Sequence, residues 1–280
     1  EIEVMTKEYK GIVSGEIWQK IPLVRGVLSF IDSLVLGMST LMYSASFFED
    51  EDESEKEKQK DSPEKMKAKE NAMMGGTVAL SVILAIAIFM ILPYYLSVFC
   101  SRFIASDMIV AVLEGILRLA IFIGYIVVIS KMKEIQRVFM YHGAEHKTIN
   151  CLEHGEDLTP ENIKKYSRLH KRCGTSFLLI VMIVSIVVFM FIRVDSLVWK
   201  FVLRILLVPV VAGISYEFIR LAGRSDSKIV NTLSKPGLYL QYFTTREPDE
   251  EMMEVAIKAV EGVFDWREYL RAMHNGELED

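Results

Sequence analysis

Four apolar runs, each close to the roughly 20 residues that cross a bilayer as a helix, constrain this chain more than any other feature. They cover about 75–99, 108–130, 175–194 and 199–221. In hydrocarbon every backbone N–H and C=O needs a partner within the protein, so only helices and closed barrels can span. Runs this long and continuous select helices. Tyr94, Tyr95 and Trp199 stand near run ends, where interfacial aromatics collect. The expected fold is mainly α, a polytopic membrane helix bundle of about four spanning helices with a cytoplasmic loop and tail.

The connections at 100–107 and 195–198 are very short, which pairs the runs into membrane hairpins over 73–130 and 175–223. The connection between the hairpins, 131–174, is long and carries nine Lys or Arg residues. By the positive-inside rule that loop and both termini are expected in the cytoplasm, with the chain multi-pass in its membrane. Residues 1–48 read as an N-terminal surface segment and a membrane-associated helix. The alternation at Ile2, Val4, Ile12 and Val13 suggests a small strand or hairpin. From Pro22 to Phe48 the chain is apolar but broken by Arg25 and Asp32, which fits an amphipathic or partly inserted helix better than a clean span.

Residues 49–72 form an almost wholly charged linker, solvated or a fraying helix, because such a block cannot bury a core. The tail, 224–280, reads as soluble. Within it Pro248 and Asp249 start a helix with an apolar stripe at Met253, Val255, Ala256, Val260 and Val263. The chain opens at Glu1 with no Met and no signal peptide, so it is expected to be trimmed or processed. A net charge of −5 gives no electrostatic case for nucleic acid. Three cysteines far apart make no disulfide framework. The partner expected is the lipid bilayer.

The 131–174 loop concentrates the chemistry. Tyr141–Phe177 holds four of the five histidines and two of the three cysteines. His142, Glu145 and His146 spell H-x-x-E-H. If 131–153 continues the second span as a helix, the two histidines share a face, at the spacing by which two imidazoles take neighbouring corners of a Zn2+ tetrahedron. Glu145 is then placed to take a proton from metal-bound water. Glu217, near the inner end of the fourth span, is the candidate third ligand of an open, catalytic site. Cys151 lies on the opposite helical face, and His154 precedes the helix-ending Gly155, so both are set aside. Thr159 and Pro160 read as N-cap and N1 of a short helix over 161–170. Beyond it His170 and Cys173 form a second ligand pair. Joined to His142 and His146, they would close a structural tetrahedron. Within the spans, Glu114, Arg118 and Arg204 are expensive charges expected to face the interior, with Glu114 and Arg204 at similar depth and so paired.

The motifs YHGAEHKTI, HKRCGTSF and FTTREP, with RGVLSFIDSLVLGMSTL and VAGISYEFIRLAGR, resemble those of the YqhQ-type family of bacterial membrane proteins. Relatives more often carry Pro where Lys171 stands and Leu where Phe243 stands. They also tend to have a glycine-rich upstream segment with Met-Arg, and if that segment contributes to the site, the site is incomplete here. The resemblance implies this architecture and a metal site, the family having been taken for metal-dependent enzymes. The expected function is a membrane metal-dependent hydrolase using zinc or another divalent ion, acting on a peptide or lipid-linked substrate. The alternatives are a non-enzymatic scaffold with a structural zinc, and a transporter using the charged intramembrane residues.

Overall fold

A computed structural model describes residues 2–11, 18, 20–52, 63–192, 194, 196–225 and 227–277. In chain order its helices are α1 (Val24–Asp52), α2 (Pro63–Ile86), a π-helical turn (Ala87–Ile91), α3 (Leu92–Ser101), α4 (Asp107–Ile129), α5 (Lys133–Glu153) and α6 (Pro160–Ile163). Then follow α7 (Gly174–Phe189), α8 (Leu197–Arg224), α9 (Lys228–Thr244), α10 (Glu250–Glu261) and α11 (Trp266–Asn275). Among the described residues there is no strand. The alternation at Ile2 and Val4 lies in extended chain beside the end of α10, where the Thr6 hydroxyl donates to the Gly262 carbonyl at 3.0 Å. Ile12 and Val13, and residues 53–62 of the charged block, fall outside the described residues.

Among the described residues four stretches are long and apolar enough to cross a membrane: Val24–Ser44, Gly75–Ser101, Asp107–Ile129 and Val198–Arg224. Their apolar side chains point outward, Leu80, Ile83, Ile205 and Leu206 being 57–65% exposed, as lipid-facing residues are. This is a mainly helical membrane protein. The four differ from the expected set in one member. The apolar start of α1 is a full-length candidate despite Arg25 and Asp32, whereas the run from 175 is helical for only 16 residues in α7.

Proline shapes the first long stretch. Pro93 has no N–H to offer the Phe89 carbonyl four residues back, and the helix widens into a π turn just there. The Nε–H of Arg118 donates to that carbonyl at 3.1 Å.

The chain divides into two units, one of Glu1–Tyr9, Phe122–Val184 and Ser215–Asp280, the other of Lys10–Ile121 and Ser185–Ile214. The first holds a hydrophobic core built by α5, α6, α10 and α11 from Ala144, Cys151, Leu152, Ile163, Met253, Trp266 and Leu270. The expected tail helix is α10. Asp249 caps it by accepting from the Met252 N–H, Met252 and Met253 are buried, and Val263 lies beyond its end, exposed. α6 is one turn rather than a helix to 170, although Thr159 accepts from the Asn162 N–H as an N-cap should.

α9, in the tail read as soluble, has an unusual distribution. Val230 and Leu240 are buried together with the small or polar Ser234, Gly237, Gln241 and Thr244, while Ile229, Leu233, Tyr239, Tyr242 and Phe243 are exposed. So many exposed apolar residues are uncommon on a helix of a soluble domain.

Candidate metal centre

α5 is two-faced. Ala144, Thr148, Cys151 and Leu152 turn into the core, and on the opposite side His142, Glu145, His146, Ile149 and Glu153 line a cavity of about 370 Å³. The helix does not continue the span before it. The chain breaks at Ser130–Met132 and restarts with Met132 extended as the N-cap. The four-residue spacing still stacks the two imidazoles on one face, their centroids 4.4 Å apart. Gly155, with φ +78°, ends the helix, leaving His154 exposed and Cys151 fully buried.

Each imidazole is aimed by a backbone carbonyl. His142 Nδ1 lies 2.8 Å from the Thr244 carbonyl and His146 Nδ1 lies 2.7 Å from that of Arg168. A carbonyl only accepts, so both Nδ1 atoms carry the proton and both Nε2 atoms are left as the donors to a metal. Cys173 completes the group. Its Sγ is 3.3 Å from His142 Nε2, and it accepts the Thr175 N–H at 3.4 Å. One ligand atom from each of His142, His146 and Cys173 lies within 4.8 Å of the others. Zinc bonds to N and S at tetrahedral angles separate those ligand atoms by about 3.5 Å, so the three residues fit such an ion with little movement.

Charge follows the same geometry. Burial pushes the Cys173 thiol up, but hydrogen bonds from His142, His146 and Thr175 outweigh it and bring the group down to about 5. Burial pulls His142 down, yet the Cys173 sulfur, the Thr244 carbonyl and the Glu145 charge raise it above its ordinary value. Cys173 is thus favoured as the thiolate, the form in which a cysteine binds a metal. Cys151, buried among apolar groups, is pushed up to about 11.

The other expected site residues lie around this trio rather than in it. His170 lines the same cavity, but its Nε2 faces Glu153 at 3.2 Å and its Nδ1 accepts the Arg172 N–H at 3.3 Å. The hydrogen bond to His170, reinforced by Arg172, holds the Glu153 carboxyl below its usual range. Glu145 is exposed at the cavity wall. Glu217 is half-buried on α8 and belongs neither to the convergent trio nor to the cavity lining. Elsewhere, Arg204 and Arg118 both reach Glu114, Arg204 Nη2 at 2.8 Å and Arg118 Nη2 at 3.0 Å.

Two supports escaped the sequence reading. Gln241 accepts the His170 N–H at 2.8 Å and donates to the His170 carbonyl at 2.8 Å and the Ser176 hydroxyl at 2.7 Å. It thereby pins the segment that carries Cys173. Lys147 is buried, donating to the carbonyls of Lys164 and Tyr166 and pairing with Glu247 at 3.0 Å. The signal was present in FTTREP, whose Thr244, Thr245 and Glu247 all touch this network.

The chain matches, over residues 21–266, the family described as "Protein of unknown function (DUF1385)". It is 35% identical over 255 residues to the uncharacterized protein YqhQ of Bacillus subtilis (strain 168), an alignment covering 87% of this chain and 77% of that relative. No solved structure matches it. A match this long places the chain in the YqhQ-type DUF1385 family of membrane proteins.

Proposed function

We propose that the chain is a membrane-embedded, metal-dependent hydrolase whose His142, His146 and Cys173 hold a divalent ion, zinc by the donor set, at the cytoplasmic face of a bacterial inner membrane. One observation carries the reading: three ligand atoms converge within 4.8 Å, two of them on imidazoles already oriented by backbone carbonyls. Three protein ligands beside an open cavity are the arrangement of catalytic rather than structural zinc. The ion supplies Lewis acidity and a more acidic water. Glu145, at the cavity wall, is the residue that would take up a proton as general base. Arg172, exposed on the cavity wall, offers a cation to a carboxylate or phosphate on the substrate. Cys173 immediately precedes the apolar helix α7, so a peptide or lipid-linked substrate reaches the site at the membrane surface.

The scaffold alternative needs His170 as a fourth ligand, and Glu153 and the Arg172 N–H already engage both of its nitrogens. The test is metal analysis of the purified full chain with turnover assays on peptide and lipid-ester substrates. His142→Ala, His146→Ala and Cys173→Ser are expected to lose the metal. Glu145→Gln is expected to keep it and lose turnover by about 10²–10⁴-fold. Turnover that persists in Glu145→Gln with metal bound removes Glu145 as the base.

A second reading rests on the 3.3 Å between His142 Nε2 and Cys173 Sγ: a cysteine hydrolase in which the thiolate attacks an acyl carbon and His142 protonates the leaving group. Chelators separate the two, because only the metal enzyme stops when the ion is removed.

A further inference from the structure

The metal reading leaves the charges of the second unit unused, and their balance does not close. Arg118 and Arg204 are 7% and 4% exposed, and Glu114, which both contact, is 3% exposed. A guanidinium stays protonated in any protein environment, so the cluster carries two permanent cations against one carboxylate. All three residues lie in stretches apolar enough to cross a membrane, where an uncompensated charge is costly. Arg118 gives its Nε–H to the Phe89 carbonyl. Arg204 does not: its Nε is buried and has no hydrogen-bond partner.

Beside this cluster lies a cavity of about 470 Å³ lined by Glu114, Arg204, Lys200, Tyr94, Phe189 and Asp107 among others. Lys200 stands at its mouth with its ammonium over the Tyr94 ring. Asp107, at the exposed start of α4, offsets Lys200 and leaves the guanidinium excess in place. Glu114 is seven residues into α4 from Asp107, so the cavity reaches about 10 Å below its rim. Tyr95 and Trp199, 59% and 60% exposed, mark the rim as the level of the lipid headgroups.

We propose that this cavity binds a phosphate oxyanion, that of an anionic phospholipid headgroup, whose charge compensates the Arg118–Arg204 excess and whose oxygens meet Arg204 and Lys200. A volume in the range of about 300–1,000 Å³ typical of organic-ligand pockets suits a phosphodiester with its alcohol better than bare phosphate. The apolar part of the lining, Phe189 with Val98 and Ile192, suits the glycerol and upper acyl chain. The site is independent of the metal reading, since no metal-centre residue lies in this unit.

The full chain in neutral detergent, titrated with phosphatidylglycerol, phosphatidylcholine or inorganic phosphate, tests the proposal through the thermal unfolding midpoint and through lipid retained in native mass spectrometry. Phosphatidylglycerol is expected to bind at least tenfold more tightly than phosphatidylcholine. Arg204→Gln removes the excess charge while leaving Glu114 paired with Arg118, and is expected to abolish that preference. Lys200→Glu, at the partly exposed mouth where folding is not at stake, is expected to weaken phosphatidylglycerol at least tenfold. Inorganic phosphate that saturates the shift and displaces the lipid keeps the oxyanion site and assigns it to the free ion. Equal binding of both lipids, unchanged in Arg204→Gln and Lys200→Glu, overturns the proposal.

Discussion

Gly143 has no side chain because none fits. A Cβ there would stand 2.0 Å from the Arg246 carbonyl oxygen, and the Arg246 N–H donates to the Phe139 carbonyl at 2.8 Å. The chain after α9 thus lies directly on α5, and this contact puts the Thr244 carbonyl against His142. Gly143→Ala must push the two apart, at a cost of about 1–3 kcal/mol or more because the obstacle is backbone. A lower unfolding midpoint is expected together with loss of bound metal; an unchanged midpoint with metal retained would mean that the crossing yields freely. Cys173 gives a second prediction at this scale. With its folded value near 5, below the ordinary 9.0, it is a thiolate at neutral pH in the metal-free protein. Its alkylation by iodoacetamide is expected to rise through pH 5, while Cys151, at about 11, stays silent until strongly alkaline pH. The sign for stability follows: the contribution of this depressed group is fully present above 9 and is lost as pH falls toward 5. Metal should block alkylation at Cys173, and equal labelling of both cysteines at pH 7 would refute its thiolate character.

Among the elements, α5 and α10 were legible in the sequence and α9 was not, for reasons that differ. The His142–His146 spacing and Gly155 specify one face and one helix end by local geometry alone, and the Pro248–Asp249 start of α10 is equally local. The burial of Gln241 and Thr244 is tertiary. Both are ordinary polar residues until α9 packs beside Ser176, close enough that a Cβ on Gly237 would meet the Ser176 Cβ at 2.8 Å. The outward apolar residues of α9 sit in the tail read as soluble because the helix is too short and too mixed to register as a span. Three residues separate it from the end of α8. An apolar face so close to a candidate span end is expected in the interfacial layer of the bilayer. Leu233→Trp, in vesicles of acyl-brominated lipid, is expected to show strong fluorescence quenching, and fluorescence equal to that in unbrominated vesicles would place this face elsewhere. The one-turn length of α6 was hidden for a related reason: the chain from Lys164 to Arg172 gives its carbonyls to Lys147, Asn150 and His146 instead of to a helix.

At the scale of the whole molecule, hydropathy identified the membrane character and three of the four full-length stretches, because those signals are additive along the chain. The other two apolar segments differ from the expected set, α1 being long and apolar enough despite its single charges and α7 ending after 16 residues. α7 also follows directly on Cys173 of the proposed metal site. Sixteen residues make a helix about 24 Å long, short of the ~30 Å hydrocarbon layer of a typical bilayer. Where α7 crosses such a bilayer, the hydrophobic mismatch is relieved by thinning the bilayer or by drawing the helix ends inward. The residue just before one of those ends is Cys173. Under the proposed metal site, bilayer thickness would then be a variable of coordination, and the protein in nanodiscs of short-chain lipid is expected to hold its metal more tightly than in long-chain lipid. Chelator-release rates across a series of acyl lengths measure this directly, and rates independent of acyl length would show that α7 bears no such load.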